Sequence, residues 1–444
     1  MKVDKTKIDD ENNCLKEGET VTISKILDLA NIVASNNYNH ILKMDLPNCG
    51  LSELPVEFGA TFTNLEILFL SNNRFREMPP ITCPQLKMVA FRSNGMTSIH
   101  PDALLAPKLQ WLILTNNALT ELPDTIGRCA NLEKLMLTGN QITHLPSSIT
   151  QCRKLVMIRL ASNALKQIPL SVLTLPNMKW LAFSDNPCTC NIKIPNPNLP
   201  VLEEIQENDG EILGEGGGGV TRKVWYGNKY VAVKTYHGTM TTDGLPEEER
   251  RMATIAGRLS SPCLIQVLGQ TKGGALVMEF LEGYEMMGGR PNFDTCWKDV
   301  YDDDSRSKWT GPQALEFVTG LLKALAQLHA IGLCHGDFYG HNILIQPNNP
   351  TQVRLGDFGG AFFYDTTDAS TAPFIRQCEL RSFAVLVEEV INHCLFVIEE
   401  GDDDTATATT SSLLRSLMDQ SLKADTSFDN VLDWWSTKNS SNSQ

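Results

Sequence analysis

The sequence predicts two units in tandem: an α/β solenoid with a curved parallel sheet over the first two hundred residues, followed by an α+β unit of similar size. Three observations carry this. The chain has 444 residues, too many for one ordinary core. A unit of about 23 residues recurs seven times before residue 195. Beyond residue 210, β-type segments flank a glycine-rich loop, and a long helical pattern follows them.

Composition sets the frame. Hydrophobic residues make up 42% and charged residues 20%, which fits a folded chain. The charge is uneven. The first 200 residues hold 19 Lys and Arg against 17 Asp and Glu, and the rest hold 19 against 35. A field of about −16 on the second half repels nucleic acid and anionic membrane, and a basic patch on a protein is its better match. The start, MKVDKTKIDDENN, lacks the apolar stretch and small-residue cleavage site of a signal peptide. No run of about 18 apolar residues appears, so no membrane span is expected. Twelve scattered cysteines fit a reduced, cytoplasmic compartment better than a disulfide framework. Cys188 and Cys190 lie close together at the end of the repeats, where they are expected to plug the terminal core.

The repeat has the form L-x-x-L-x-L-x-x-N-x-L-x-x-L-P. Its anchor falls at Cys49, Asn73, Asn94, Asn117, Asn140, Asn163 and Asn186. One unit reads Leu132, Leu135, Leu137, Asn140, Ile142, Leu145, Pro146. A single short strand cannot bury its leucines alone, so neighbouring units must stack and share a core. The asparagines are expected to form a ladder where the chain leaves each strand. The pattern resembles leucine-rich-repeat proteins over residues 38–195, with residues 1–37 as a cap. Side chains alternating with the buried leucines face the concave side. Phe69, Trp111, Ile113, Met136 and Trp180 fall there, which makes that side too apolar for a solvated face. A protein partner is expected on it, the alternative being that the chain's own second half covers it.

Residues 196–206 read as a Pro- and Asn-rich linker. Next comes Leu213-Gly214-Glu215-Gly216-Gly217-Gly218-Gly219-Val220-Thr221, a G-x-G-x-x-G pattern between β-type segments. Such a loop brings backbone N–H groups close to phosphate oxygens. The following strand ends on Val231-Ala232-Val233-Lys234. His335-Gly336-Asp337 leads to Asn342, and Asp357-Phe358-Gly359 follows 15 residues later. In this order the motifs resemble protein kinases over residues 207–438, leaving a polar tail at 439–444.

The resemblance implies a two-lobed domain that uses ATP and Mg²⁺. Lys234 would hold the α- and β-phosphates and pair with a helix glutamate. Glu247, Glu248 and Glu249 are the candidates; Glu249 is preferred on its spacing, and a solvated acidic helix start is the plain alternative. Leu213 to Gly219 and Thr221 would cover the nucleotide. Ala232 and Leu344 would sandwich the adenine, with Met278 as gatekeeper and the Glu279–Leu281 backbone on the base edge. Asp337 matches the catalytic base, and Asn342 and Asp357 match the magnesium ligands.

The pattern departs from the family in three places. Gly336 stands where Arg commonly pairs with a phosphorylated activation loop, so control by that route is not expected. Tyr339 replaces the usual Lys; His341, when protonated, could supply part of that charge, or could simply pack. Only 22 positions separate Asp357 from Glu379-Leu-Arg-Ser-Phe, and Ala372-Pro373-Phe374 is the nearest trace of an Ala-Pro-Glu motif, so the peptide-docking floor is expected to be reduced. The function expected is transfer of the ATP γ-phosphate to a protein hydroxyl, Ser/Thr rather than Tyr. The alternatives are a nucleotide-binding pseudokinase scaffold and a small-molecule kinase of the His-Gly-Asp-x-x-x-x-Asn type.

Overall fold

The computed structural model describes residues 20–22, 40–190, 198–216, 218–292, 295, 297–301, 309–395 and 405–441. The chain divides into two compact units, residues 1–177 and 178–444.

In the first unit, three-residue strands at Thr20–Thr22, Lys43–Asp45, Ile67–Phe69, Met88–Ala90, Trp111–Ile113, Lys134–Met136 and Met157–Arg159 pair in parallel. The pairing keeps each repeat position beside its equivalent, as in Trp111 with Lys134 and Leu112 with Leu135. The middle residue of each described repeat strand, such as Leu68, Leu112, Leu135 and Ile158, is fully buried, as alternation along a strand requires. The asparagine ladder is present. Asn117 Oδ1 accepts from the Met96 amide at 3.0 Å, while its Nδ2 donates to the Phe91 and Leu114 carbonyls. Asn140 and Asn163 repeat this pattern. At the first anchor, the Cys49 thiol meets the Pro47 carbonyl two residues before it. The residue before most anchors is left-handed, including Asn72, Asn116 and Ser162. Short polar residues tolerate that turn, which swings the anchor inward.

The second unit begins inside the last repeat, with the strand Trp180–Ala182 and a one-turn helix at Pro187–Cys190. A five-stranded antiparallel sheet follows: β1 (Glu211–Gly216), β2 (Gly219–Tyr226), β3 (Lys229–Tyr236), β4 (Val267–Gln270) and β5 (Leu276–Glu279), in the order β1-β2-β3-β5-β4. Its small core holds Ile205, Val224, Val231, Val233, Ala275 and Val277. Helix α1 (Pro246–Ala256) lies between β3 and β4 in the chain.

The larger lobe is built around α2 (Gly311–Ala330). This helix starts on a capping box in which Thr310 and Gln313 satisfy each other's backbone amides. Its Phe317, Leu321, Leu325 and Leu328 pack in one core with Phe383 and Leu386 of α3 (Ala372–Glu389). Leu414 of α4 (Thr405–Ser421) and Trp435 of α5 (Phe428–Ser441) complete that core. Ala372-Pro373-Phe374 forms the first turn of α3, where proline is at home.

One expected partner residue is placed differently. Trp180 is fully buried within the second unit, its ring stacked on Tyr339 at 4.3 Å, so it is closed to an outside partner. Phe69, Trp111, Ile113 and Met136 are half-buried. Lys43 lies over the Phe69 ring and Lys134 over the Trp111 ring, at 5.4 and 4.1 Å. Among the described residues nine cysteines are free, most of them buried. No helix of the described residues is long and apolar enough to cross a membrane.

Candidate active site

The site is assembled from β1 to β3, α1 and the loops that follow α2. Gly216 pairs with Gly219 across the turn from β1 to β2, and Thr221 sits opposite Lys234 on β3. Gly214 and Gly218 lie in the same hairpin; Gly217 falls outside the described residues. At Gly219 a Cβ would run into the Thr235 carbonyl, so the hairpin can close this tightly only with glycine there. Leu213 and Glu215 are exposed on β1.

Lys234 is the hub. Its Nζ lies 2.6 Å from Glu249 Oε1 and 3.2 Å from Asp357 Oδ1. The structure thus selects Glu249 from the three candidates: Glu249 is 6% exposed and turned inward, while Glu248 pairs with Arg251 at 3.2 Å. Burial pushes Glu249 up to about 7, against the downward pull of Lys234. Burial alone would lower Lys234, but Asp357 and Glu249 outweigh it and hold its charge firmly. Asp357 also loses solvation, yet the Lys234 ammonium and the Gly359 amide hold it down at about 2.

Asp357 occupies a left-handed backbone position, which aims its carboxylate back toward Lys234. Asn342 Nδ2 donates to the Asp337 carbonyl at 2.8 Å and to its carboxylate at 3.1 Å. His335 Nε2 lies 3.0 Å from the Gly356 carbonyl, and its Nδ1 accepts from the Asp337 amide. This pair of partners assigns the neutral ring with its proton on Nε2. His335 therefore ties the Asp337 loop to the Asp357 loop.

Beneath them, Glu379 accepts from the amides of His335 and Gly336 and from His329 Nε2 at 2.5 Å. Burial works against its charge, but His329 and the Gly336 amide hold its pKa below the usual range. His329, Cys334 and Glu379 are close enough to suggest a metal site. However, His329 Nδ1 already faces the Tyr364 hydroxyl, so both ring nitrogens have protein partners.

For the adenine side, Ala232 on β3 lies opposite Met278 on β5. The Glu279 carboxylate turns away to the Gln266 amide and Arg354. Leu281 and Leu344 are half-buried against the large core.

The amide and Nδ1 of His341 both meet the buried Asp299 carboxylate, at 2.8 and 2.7 Å, which turns the ring toward that partner. One residue was missed by motif reading: the Arg290 guanidinium lies against Gly216 and reaches the Glu215 carbonyl at 3.5 Å. No spacing rule marks it, because only the fold brings the segment after β5 under the glycine hairpin.

Residues 208–379 match the protein kinase domain family. Residues 84–142, 107–165 and 64–86 match leucine-rich-repeat families. Two curated relatives are similar. The putative mitogen-activated protein kinase kinase kinase 7-like protein of Drosophila melanogaster is 26% identical over 204 residues, covering 42% of this chain and 48% of the relative. The serine/threonine-protein kinase pkn3 of Myxococcus xanthus is 31% identical over 175 residues, covering 36% and 29%. The chain thus spans half or less of the length of these relatives. Among solved structures, a leucine-rich-repeat protein of Leptospira interrogans matches 37% of this chain and 41% of its own, with 28% identity and a TM-score of 0.32.

Proposed function

We propose that this chain, which carries leucine-rich repeats and a protein kinase domain, is an active ATP-dependent Ser/Thr protein kinase whose repeats recruit a protein partner in a cytoplasmic setting. The observation that carries the reading is the joint placement of Lys234 against both Glu249 and Asp357, with Asp337 braced by Asn342. A chain that had abandoned catalysis has no need to keep these three charges converged on one point. Breaking such a triad is costly, and keeping it is no better for stability than apolar packing.

The residues divide the work. The glycine hairpin offers backbone amides to the phosphates, and Lys234, fixed by Glu249, neutralises charge there. Ala232, Met278 and Leu344 enclose the base. Asp337 accepts the proton of the attacking hydroxyl, held in place through its carbonyl and carboxylate by Asn342. The donor set fits Mg²⁺: the Asp357 carboxylate and the Asn342 carboxamide oxygen are hard ligands, and Asp357 remains 38% exposed. When bound, Mg²⁺ supplies neutralisation of the β- and γ-phosphate oxygens.

Tyr339 favours a second reading. It puts a neutral ring where the family has a cation, which suits a nucleotide-binding scaffold. The deciding experiment incubates the full chain with labelled ATP, Mg²⁺, generic protein substrates and small alcohols, beside Asp337→Asn. We expect transfer to protein that falls 10²- to 10⁴-fold in the variant with nucleotide binding unchanged. Binding without any transfer would establish the scaffold; transfer only to small alcohols would establish a small-molecule kinase.

A further inference from the structure

We propose that the strand Trp180–Ala182 sets the catalytic loop in its working shape, with Trp180 as the positioning residue, in place of the arginine and phosphate pair that the His-Gly-Asp sequence lacks. The proposal rests on the kinase reading above.

The argument starts from the backbone of the loop. Its amides at His335 and Gly336 go to Glu379, and its amide at Asp337 goes to His335 Nδ1. Its carbonyls at Asp337 and Tyr339 go to the side chain and the amide of Asn342. The carbonyls of Gly336 and Phe338 bracket Asp337. The repeat strand supplies both donors. The Leu181 amide gives to Gly336 at 3.0 Å, and Trp180 Nε1 gives to Phe338 at 3.1 Å. Buried carbonyls need such partners, and the repeat strand provides them at both positions.

The same contact explains the departure from the family motif. Gly336 has a φ of +71°, and a Cβ on it would be driven into the Leu181 carbonyl oxygen and crowd that of Gly360. An arginine cannot stand where the strand passes. Tyr339 falls into place likewise, because its ring lies flat on Trp180 with an interplanar angle of 4°. The strand is in turn fixed to the scaffold: Arg381, on the helix that carries Glu379, donates to the Met178 carbonyl at 3.2 Å. Phe183 packs edge-on against Phe362, just past Asp357-Phe358-Gly359. The strand and the residue after it therefore meet the Asp337 loop and the chain just past the Asp357 loop.

The activation segment shows the complementary feature. Asp365 and Asp368 hold the amides and hydroxyls of Thr367 and Ser370, so the segment is ordered by its own carboxylates. The structure accordingly assigns loop positioning to a contact that needs no phosphorylation.

The test uses the full chain with Trp180→Ala and Trp180→Phe, reading hydrogen exchange, nucleotide affinity and kinetics. In Trp180→Ala, amides of residues 335–342 should exchange at least tenfold faster while α1 and α2 do not change. Its kcat should drop about tenfold or more with KM for ATP within twofold of wild type. Trp180→Phe, which keeps a stacked ring but no donor, should fall between, and phosphatase treatment of the wild type should leave its kcat unchanged. Unchanged exchange at 335–342 in Trp180→Ala would overturn the proposal, as would a uniform rise across the unit with kcat and KM shifting together. Loss of activity on phosphatase treatment would also overturn it. If the wild type transfers no phosphate at all, the kinase reading fails, and the exchange pattern still decides whether Trp180 holds the loop.

Discussion

Removing the ammonium of Lys234 by Lys234→Met tests the hub of the site most directly. Two carboxylates then lose their partner at 2.6 and 3.2 Å. At an effective dielectric of about 20, charges at these separations attract by about 5–6 kcal/mol gross per pair, most of it offset by the cost of desolvation. Breaking a fully buried pair costs about 3–5 kcal/mol when the remaining charge stays bare. Here it does not have to. Glu249 is already pushed up to about 7 with the lysine present, so without the lysine it takes up a proton at neutral pH. Asp357 is 38% exposed and recovers water. The expected cost to folding is therefore about 1–3 kcal/mol, whereas nucleotide affinity should fall at least tenfold and transfer should fall below detection. A double-mutant cycle with Glu249→Gln supplies the sharp result. If Glu249 is neutral in Lys234→Met, adding Glu249→Gln should change stability by no more than about 0.5 kcal/mol, within the usual error of additivity. Urea unfolding at pH 7 and nucleotide titration measure both quantities. A second full cost from Glu249→Gln, or nucleotide affinity within twofold of wild type in Lys234→Met, would refute the reasoning.

Two further outcomes follow from the geometry. Glu379 is held below its usual pKa in the fold, so its contribution is present above the ordinary carboxylate range and lost as pH falls through it. Glu379→Gln should therefore be less stable than wild type by about 2 kcal/mol at pH 7, and the gap between the two urea midpoints should narrow toward pH 3; a gap independent of pH would show that the charge is not what the loop uses. On the repeats, Trp111→Ala with Met136→Ala should reduce recovery of a bound protein substrate while phosphorylation of a generic substrate stays unchanged, and equal recovery would rule out that surface as the recruiting one.

The sequence by itself determined a great deal here, because the physics involved is local or repetitive. The seven-fold spacing fixed the stacked strands, since each leucine must find its equivalent in the next unit. The asparagine ladder follows from the same spacing, as each anchor bonds to backbone about 21 to 26 positions away. Lys234, Asp337, Asn342 and Asp357 could be picked out as one constellation from their order and spacing, and the fold brings Lys234 against Asp357 and Asn342 against Asp337.

What the tertiary structure decided are matters of which long-range surface meets which side chain. Three adjacent glutamates on α1 look alike in the chain, but only Glu249 lies on the helix face that meets Lys234. Arg290 came under the glycine hairpin with no motif to announce it. Trp111 and Trp180 occupy the same outward column of the repeat, and alternation fixes the side each one faces without saying what will cover it. For Trp180 the cover is a loop 158 residues further on, which accepts its N–H and stacks against its ring. Gly336 read as the loss of an arginine. In the fold it is the space through which a neighbouring strand's carbonyl passes, a steric fact set by two distant pieces of backbone and invisible to any local pattern.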